Sequence, residues 1–358
     1  MKLLFYINSI GHGGAERVMV NLANSFSSKG YETVLVTSSP SSWEYSCFEN
    51  VKRVNLFNVR ICGFFRRNFN LLKALRKVIK NEKPDAVISF MAEPNFRMLI
   101  ATAGLKCRKI ISVRNDPARE YPNLLFKFLA KTLYNLADGV VFQTEDSKKW
   151  FPKSIQKKSR IIMNQVDDIF FNTPLAEDRR DIVTTGRLTA QKNHKMLIRA
   201  FSQIVDEIED NLIIYGEGEL RGELEELVKT LGLEGRVFLP GPTKNVPEVL
   251  SKAKIFVLSS NYEGMPNSLL EAMAMGLPCI STDCPCGGPK KMLQDIGESF
   301  LVPVGDSNVL ALSLKNVLKS INYNSIYEMS SLKMQEYKKE IVFEKWLRYI
   351  HMEKITNK

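Results

Sequence analysis

The sequence predicts an α/β protein made of two doubly wound domains, each built on a parallel sheet. Short apolar runs typical of buried strands alternate along the chain with amphipathic stretches typical of helices. The alternation stops once, in a polar stretch from Val166 to Asp181, and then starts again. The 358 residues are enough for two substantial cores. Since ligands of such sheets bind at the carboxyl ends of the strands, function is expected in the loops that follow them.

The strands and helices are assigned in chain order from this alternation. Strands are predicted at Lys2–Asn8, Glu32–Thr37, Ala86–Phe90, Lys109–Val113, Gly139–Gln143, Ile182–Thr185, Leu212–Tyr215, Val237–Leu239, Ile255–Ser259 and Cys279–Thr282. Helices are predicted at Ala15–Lys29, Asn68–Asn81, Leu124–Ala137, Lys195–Ile208, Leu220–Leu231, Asn267–Met275 and Ile341–Ile355. The resulting domains are residues 1–168 and 182–338, joined by a linker at 169–181 and followed by a terminal helix within 339–358.

The composition is that of a soluble globular protein, with 44% hydrophobic and 25% charged residues. No apolar run approaches the roughly 18 residues that span a bilayer. The opening run Met1–Asn8 fits a first strand better than a signal peptide, so a cytoplasmic protein is expected. Cys284 and Cys286 are close enough to suggest a metal or redox site, but their spacing favours two reduced thiols in a tight loop.

The net charge of +11 belongs to the first half of the chain. Residues 1–175 hold 27 basic and 14 acidic side chains, whereas residues 176–358 hold 23 and 25. Such a field indicates an anionic partner. Residues 60–80, with seven basic side chains among apolar ones, and Leu124–Lys131 are typical of segments that bind anionic lipid surfaces. The alternative is two packing helices with solvated basic faces; we expect contact with an anionic membrane.

The segment Asn261–Gly276 carries the strongest chemical signal. It holds Glu263 and Glu271, with seven residues between them. Glu263 falls on a strand-to-helix loop, and Pro266 suits the first position of the following helix. Free backbone N–H groups and the helix dipole make such a loop a site for anionic oxygens. A carboxylate beside it suits a ligand that carries both phosphates and hydroxyls, such as a sugar nucleotide.

Two cations and two glycines extend this interpretation. Arg187 and Lys192 follow a predicted strand and suit a phosphate; the alternative is two solvated surface cations. Gly13 and Gly14 precede a predicted helix, where glycine either lets a diphosphate approach the backbone or forms a tight turn. The glycine spacing does not match a dinucleotide-binding fingerprint, and no P-loop sequence occurs.

These motifs resemble those of the retaining glycosyltransferases of family four, which adopt the GT-B fold with two Rossmann-like domains facing a cleft. Asn261–Gly276 resembles that family's Glu-x7-Glu region. Further pieces that resemble the family, in the family's order, are Gly11–Arg17, Asn164–Asp167, Gly186–Arg187 with Lys192–Asn193, Gly216–Gly218 and Phe238–Gly241. The resemblance runs the length of the chain and points to enzymes of bacterial surface polysaccharides. It implies a terminal helix that crosses back to the first domain.

The resemblance implies a role for each motif. Glu263, Arg187 and Lys192 are implied in catalysis, Glu263 at the donor sugar and the two cations at the departing phosphates. Glu271 is implied to accept hydrogen bonds from ribose hydroxyls. The implied donor site comprises Gly13, Gly14, Arg187, Lys192, Glu263, Gly264, Met265, Pro266, Asn267 and Glu271. No metal or other cofactor is implied, and no Asp-x-Asp pair offers a metal–nucleotide site.

The sugar and acceptor side is implied to involve His12, Arg114 and Asn115. His12 is either a sugar contact or a loop residue flanked by glycines. Arg114 and Asn115 follow a predicted strand where the family often has a histidine; they either contact a substrate or, with Asp116, cap a turn. Lys291 stands where the family commonly has a glutamate, so donor specificity is expected to differ.

Taken together, the motifs and their resemblance predict a cytoplasmic retaining hexosyltransferase, peripheral on the inner face of the cell membrane. It is expected to move a sugar from a UDP-sugar to a lipid-linked or growing glycan acceptor in capsule, O-antigen or exopolysaccharide synthesis. The alternatives are a nucleic-acid-binding protein, which lacks a recognition motif and a stacking platform, a non-catalytic GT-B scaffold, and an inverting enzyme. The sugar, the base, the linkage and the oligomeric state stay open.

Overall fold

In a computed structural model of the protein, the described residues are 1–11, 13–56, 64–296, 300–320 and 322–352. The chain divides into two units: unit 1 comprises Met1–Gln165 and Val342–Lys358, and unit 2 comprises Val166–Ile341. Each unit holds one parallel sheet and a set of helices. This confirms the predicted class of two doubly wound, Rossmann-like α/β domains.

Unit 1 is built on a sheet of seven parallel strands in the order β3-β2-β1-β4-β5-β6-β7. The strands are β1 (Lys2–Ile7), β2 (Glu32–Thr37), β3 (Val51–Asn55), β4 (Ala86–Phe90), β5 (Arg108–Ser112), β6 (Gly139–Phe142) and β7 (Ser159–Ile161). The helices are α1 (Gly14–Ser28), α2 (Phe64–Glu82), α3 (Ala92–Ala101), α4 (Pro117–Glu120), α5 (Leu124–Leu133), α6 (Glu145–Lys149) and α7 (Lys153–Lys157).

Unit 2 is built on a sheet of six parallel strands in the order β10-β9-β8-β11-β12-β13, the same winding as the first six strands of unit 1. The strands are β8 (Arg180–Thr185), β9 (Leu212–Tyr215), β10 (Val237–Gly241), β11 (Ala253–Leu258), β12 (Cys279–Thr282) and β13 (Leu301–Val302). The helices are α8 (Asp168–Asn172), α9 (His194–Ser202), α10 (Arg221–Thr230), α11 (Val246–Lys252), α12 (Asn267–Ala274), α13 (Gly288–Leu293), α14 (Ser307–Ser320), α15 (Tyr323–Met334) and, running into unit 1, α16 (Lys339–His351).

Both faces of the unit 1 sheet are buried, as expected for a parallel sheet covered by helices on either side. Successive side chains of β1 point to opposite faces, so Leu3 and Phe5 enter one core while Leu4 and Tyr6 enter the other. The continuous apolar runs of the sequence follow from this double burial.

Helix α16 is tied to the sheet of unit 1. Trp346 is buried in the same core as Leu3, and the Tyr349 hydroxyl accepts a hydrogen bond from the backbone N–H of Val140 at 2.7 Å. The described helices include none that is long and apolar enough to cross a membrane.

Each strand predicted from the sequence is present, with ends that differ by at most two residues. Three strands, β3, β7 and β13, are not predicted, and each lies at an edge of its sheet. An edge strand is covered on fewer sides, so its sequence is less apolar; in β3 only Val51 is buried. The short edge strands therefore lack the apolar runs by which the central strands are recognised.

Candidate functional site

The strand order of unit 2 reverses between the neighbouring strands β8 and β11. Such a switch point leaves a crevice at the carboxyl ends of the two strands, and ligands of doubly wound sheets bind there. The loop of residues 186–193 leaves β8, and the loop of residues 259–266 leaves β11. Both loops carry residues that the sequence predicts to bind the donor.

The two loops meet in an ion pair. The Lys192 Nζ lies 2.6 Å from the Glu263 Oε1, and their side chains are only 14% and 9% exposed. The Ser260 hydroxyl donates to the same oxygen at 2.8 Å, and the Gln191 amide donates to the Glu263 Oε2 at 3.4 Å. The carboxylate is therefore held in one orientation, with a positive charge directly beside it.

Further hydrogen bonds fix the two loops against each other. The backbone N–H and the side-chain amide of Asn261 donate to the carbonyl oxygens of Gln191 and Ala190, both at 2.8 Å. The Asn193 amide donates to the Asn261 Oδ1 at 2.9 Å, and the Ser259 hydroxyl donates to the Lys192 carbonyl at 2.9 Å. Asn193 adopts a left-handed conformation with φ 48° and caps α9. The loops of residues 186–193 and 259–266 are therefore joined by several hydrogen bonds.

Arg187 differs from Lys192 in its surroundings. It lies one residue beyond Gly186 and is exposed, and its guanidinium has no hydrogen-bonding or ionic partner in the described part of the chain. A guanidinium with free donors suits a bidentate contact with phosphate oxygens. The structure thus brings Lys192 and Glu263 together and leaves Arg187 open at the same end of β8.

The amino end of α12 adjoins this ion pair. Pro266 precedes the helix, Asn267 opens it, and Met265 is buried just before it. Glu271 lies one turn further along and is also buried. The first backbone N–H groups of a helix lack partners within it and, with the dipole, attract anions.

Two glycines allow close approach of neighbouring backbone at the site. A Cβ on Gly288 would lie 1.9 Å from the carbonyl oxygen of Gly264, so the first residue of α13 packs directly on the Glu263 loop. A Cβ on Gly216, whose φ is 152°, would lie 1.8 Å from the carbonyl oxygen of Gly186. Side chains at either position would displace a loop of the site.

Cys284 and Lys291 flank the same loop. Burial, together with the Glu263 charge, raises the pKa of the Cys284 thiol to about 12, so the thiol stays protonated. Lys291 is partly buried in α13. Among the described residues, no three His, Cys, Asp or Glu side chains are placed to hold a metal ion.

The residues predicted on the sugar and acceptor side, and the predicted donor-site glycines Gly13 and Gly14, belong to unit 1. Gly13 precedes α1 with an extended backbone, Gly14 is its first residue, and a Cβ on Gly13 would lie 1.9 Å from the Glu16 Oε2. The Asn115 side chain accepts from the Asp116 N–H at 2.9 Å, and the Asp116 side chain caps α4. His12 lies outside the described residues.

Arg114 is buried at the carboxyl end of β5. Its guanidinium donates to the Ser112 hydroxyl at 3.3 Å and to the Asn164 Oδ1, and it lies 4.3 Å from the centre of the Phe90 ring. Burial lowers the pKa of Arg114 to about 9, against the opposing charge of Glu120. The guanidinium therefore has neutral hydrogen-bonding partners only, among the residues that the structure describes.

The sequence singles out Glu263, Glu271, Arg187 and Lys192 as candidates, but it does not point to Ser260 and Gln191, which fix the Glu263 carboxylate. Ser260 and Gln191 carry no chemical signal of their own, because a serine or a glutamine in a loop is ordinarily a surface residue. For Gly288 a signal exists, since the pair Gly287–Gly288 follows a strand end and precedes a helix.

Two family models match the chain. The model described as Glycosyltransferase Family 4 matches residues 12–169, and the model described as Glycosyl transferases group 1 matches residues 179–320. With two parallel-sheet Rossmann-like domains, these matches define a glycosyltransferase of the GT-B fold. The chain belongs to the family-four glycosyltransferases, as the resemblance predicts.

Individual relatives agree with this assignment. The Campylobacter jejuni GalNAc-α-(1→4)-GalNAc-α-(1→3)-diNAcBac-PP-undecaprenol α-1,4-N-acetyl-D-galactosaminyltransferase is 29% identical over 98% of this chain and 98% of its own. The Escherichia coli UDP-Gal:α-D-GlcNAc-diphosphoundecaprenol α-1,3-galactosyltransferase is 28% identical over 67% of this chain and 69% of its own. The structure of Anabaena HepE in complex with UDP and glucose superimposes with a TM-score of 0.82 at 17% identity, over 97% of this chain and 98% of that one.

Proposed function

We propose that the protein is a retaining hexosyltransferase that moves a sugar from a UDP-sugar to a lipid-linked or growing glycan acceptor in bacterial surface-polysaccharide synthesis. The observation that carries the proposal is the Lys192–Glu263 pair at the switch point of unit 2, beside the exposed Arg187 and the amino end of α12. Cations, a helix terminus and a carboxylate in one place suit a diphosphate joined to a sugar.

The names of the relatives support the same chemistry. Both act on sugars linked through a diphosphate to undecaprenol, and one takes UDP-galactose. A UDP-sugar donor and a lipid-linked acceptor are therefore the first substrates to test. The inner face of the cell membrane, where such acceptors meet cytoplasmic sugar nucleotides, is the proposed place of action.

In the proposed reaction, the bond between C1 of the donor sugar and the β-phosphate oxygen breaks. The acceptor hydroxyl oxygen forms a bond to C1 on the same face of the sugar, and its proton passes to the departing phosphate oxygen. Negative charge grows on that phosphate, where Arg187, Lys192 and the backbone N–H groups of α12 stabilise it. Lys192 donates one N–H to Glu263 and keeps its remaining donors for phosphate oxygens.

The two glutamates bind hydroxyls in this scheme. Ser260 and Lys192 fix the Glu263 carboxylate, so its free lone pairs accept hydrogen bonds from the donor sugar. Glu271 accepts from the ribose hydroxyls. We further propose that no metal ion takes part, since Arg187, Lys192 and the helix terminus supply the positive charge that a metal supplies elsewhere. Transfer is then unaffected by a chelator.

The proposal is tested with the purified full-length protein, undecaprenyl-diphosphate-linked N-acetylglucosamine and a panel of UDP-, GDP- and ADP-sugars. The expected result is transfer from one UDP-sugar to give an α-linked product, identified by its anomeric coupling in NMR spectra. A β-linked product would make the enzyme inverting. Absence of transfer and of nucleotide binding by the folded protein would favour the scaffold or nucleic-acid alternatives.

A membrane-facing role is proposed for α5. Leu124, Leu125 and Phe128 are 84%, 62% and 66% exposed, and Lys127 and Lys131 lie among them. Large exposed apolar side chains interspersed with lysines are suited to the boundary between acyl chains and anionic headgroups. The basic excess of the first half of the chain adds long-range attraction to the same surface.

Vesicle co-sedimentation tests this role. The protein is expected to bind vesicles of phosphatidylglycerol more strongly than vesicles of phosphatidylcholine, and to lose binding as salt is raised. The substitution Leu125→Ser should weaken binding, whereas Leu332→Ser, at a position 80% exposed on α15, should not. Equal binding of the two variants would exclude α5 as the contact.

A further inference from the structure

A polar cluster lies at the switch point of unit 1, where β1 and β4 are neighbours and the winding of the sheet reverses. Its centre is Glu93, in the first turn of α3. The Glu93 Oε2 accepts a hydrogen bond from the Asn8 Nδ2 at 3.0 Å, and its Oε1 accepts from the Arg97 Nη2. None of these residues belongs to the donor site of unit 2.

Arg97 is fixed independently of Glu93. It is 6% exposed, and its Nη1 donates to the Tyr6 hydroxyl at 2.6 Å and to the Asn8 Oδ1 at 3.0 Å. Its Nη2 donates to the Asn68 Oδ1 at 3.0 Å, and Asn8 is itself held by the Ser38 hydroxyl at 3.0 Å. The guanidinium is thus anchored by neutral groups, and Glu93 is its one carboxylate partner among the described residues.

Unlike Arg97, Glu93 is exposed, yet its side chain is also fixed by hydrogen bonds. Its side chain is 55% exposed, and an exposed glutamate ordinarily moves among many rotamers because fixing it costs conformational entropy. Here Arg97 and Asn8 each donate a hydrogen bond to one of the two Glu93 carboxylate oxygens. A carboxylate has about four lone-pair positions, of which two are filled, so the others remain open to solvent in a fixed direction.

The turn that leads into Glu93 is also fixed. Met91 connects β4 to α3 with φ 76° and ψ 155°, a conformation that favours glycine. A methionine stays there only because the surrounding structure determines it. Its backbone N–H donates to the Ser112 carbonyl at 3.3 Å.

A carboxylate accepts hydrogen bonds and repels anions, so the ligand that fits Glu93 is neutral and carries hydroxyl or amide donors. The adjacent hydroxyls of a pyranose ring meet this requirement, and the phosphates of a nucleotide do not. We propose that Glu93, positioned by Arg97 and Asn8, binds a hydroxyl of the acceptor sugar and contributes to acceptor specificity. The assignment of the sugar to the acceptor rests on the proposed transferase function.

The test is saturation-transfer NMR on the full-length protein, with methyl N-acetyl-α-D-galactosaminide and UDP as separate probes. Glu93→Gln keeps the shape of the side chain and removes its charge. Because a hydrogen bond to a charged group is about twice as strong as a neutral one, we expect glycoside binding to weaken about tenfold. Glu82→Gln is the matched control, since Glu82 is an ion-paired carboxylate of the same unit, bonded to Lys2 at the amino end of β1.

The outcomes separate the inference from the proposed function. The acceptor site is supported if glycoside binding weakens in Glu93→Gln but not in Glu82→Gln, and if UDP binding is unchanged in both variants. In transfer assays, Glu93→Gln should then raise the acceptor KM about tenfold and leave the donor KM the same. Equal glycoside binding by Glu93→Gln and wild type, or none by wild type, overturns it. If the wild type binds the glycoside but does not bind UDP, the transferase function is refuted and the hydroxyl-binding site at Glu93 is retained.

Discussion

Removing one partner of the Lys192–Glu263 pair tests what stabilises the proposed donor site. The two side chains are 14% and 9% exposed and 2.6 Å apart. Breaking a buried pair by removing one charge costs about 3–5 kcal/mol, because the other charge is left without compensation. Ser260 and Gln191 already bond to Glu263 in the wild type and so offer no new compensation. We therefore expect Lys192→Met to lower the free energy of unfolding of unit 2 by about 3 kcal/mol.

A double variant distinguishes the cost of the uncompensated Glu263 charge from the cost of lost packing. Adding Glu263→Gln to Lys192→Met removes the uncompensated carboxylate, so the double variant should be more stable than the sum of the two single changes predicts. The coupling energy expected between the two positions is about 2 kcal/mol.

Urea denaturation measures both effects, and the sequence supplies a reporter for one unit. All 3 tryptophans, Trp43, Trp150 and Trp346, lie in unit 1, so tryptophan fluorescence follows that unit while far-UV circular dichroism follows both. Lys192→Met should lower the urea concentration at which unit 2 unfolds, seen as a shift in the dichroism transition without a shift in the fluorescence transition. A cost below about 1 kcal/mol, or strict additivity in the double variant, would refute the account of a buried, coupled pair.

Two further predictions concern unit 2. Burial, with the Lys192 charge, lowers the pKa of His194 to about 4. In the unfolded chain the histidine takes up a proton near pH 6.5, so below that pH protonation favours unfolding. The free energy of unfolding should therefore fall by up to about 3 kcal/mol between pH 6.5 and pH 4. His194→Gln should remove this part of the pH dependence, measured by urea denaturation. Gly288→Ala places a methyl group against the Gly264 carbonyl and should abolish UDP binding, measured by calorimetry; Gly222→Ala, in α10 with open space around it, should bind UDP like the wild type.

The central strands of both sheets were predictable because each is buried on two faces. The strand Leu212–Tyr215, for example, is a short apolar run between Asn211 and Gly216, and the structure has the same bounds. Edge strands such as β3 cannot be recognised in this way, because they are partly exposed to solvent and lack a continuous apolar run. What sets the position of β3 is pairing with β2, a contact that leaves no apolar run in the sequence.

The residue types of the proposed donor site stand out in the sequence for a different reason. Phosphates and hydroxyls limit the side chains that bind them, so Arg187, Lys192 and Glu263 stand out in loops after strands, and Glu271 stands out in the helix that follows. Their contacts were not predictable, since Lys192 and Glu263 are 71 residues apart and only the winding of the sheet places β8 beside β11. Glu93 illustrates the same limit: Arg97 is only four residues away, but Arg97 is buried and anchored by Tyr6 and Asn8, which are about 90 residues away in sequence.

Calorimetric titration of UDP into the wild type and two arginine variants tests the central claim most directly. The account predicts that the wild type binds UDP and that Arg187→Ala weakens binding at least about tenfold, since an arginine–phosphate contact is a charge-assisted hydrogen bond. Arg199→Ala, at an exposed position of α9 in the same unit, should leave binding unchanged. Folded wild-type protein that does not bind UDP, or equal binding by the two variants, would contradict a nucleotide site at the carboxyl end of β8.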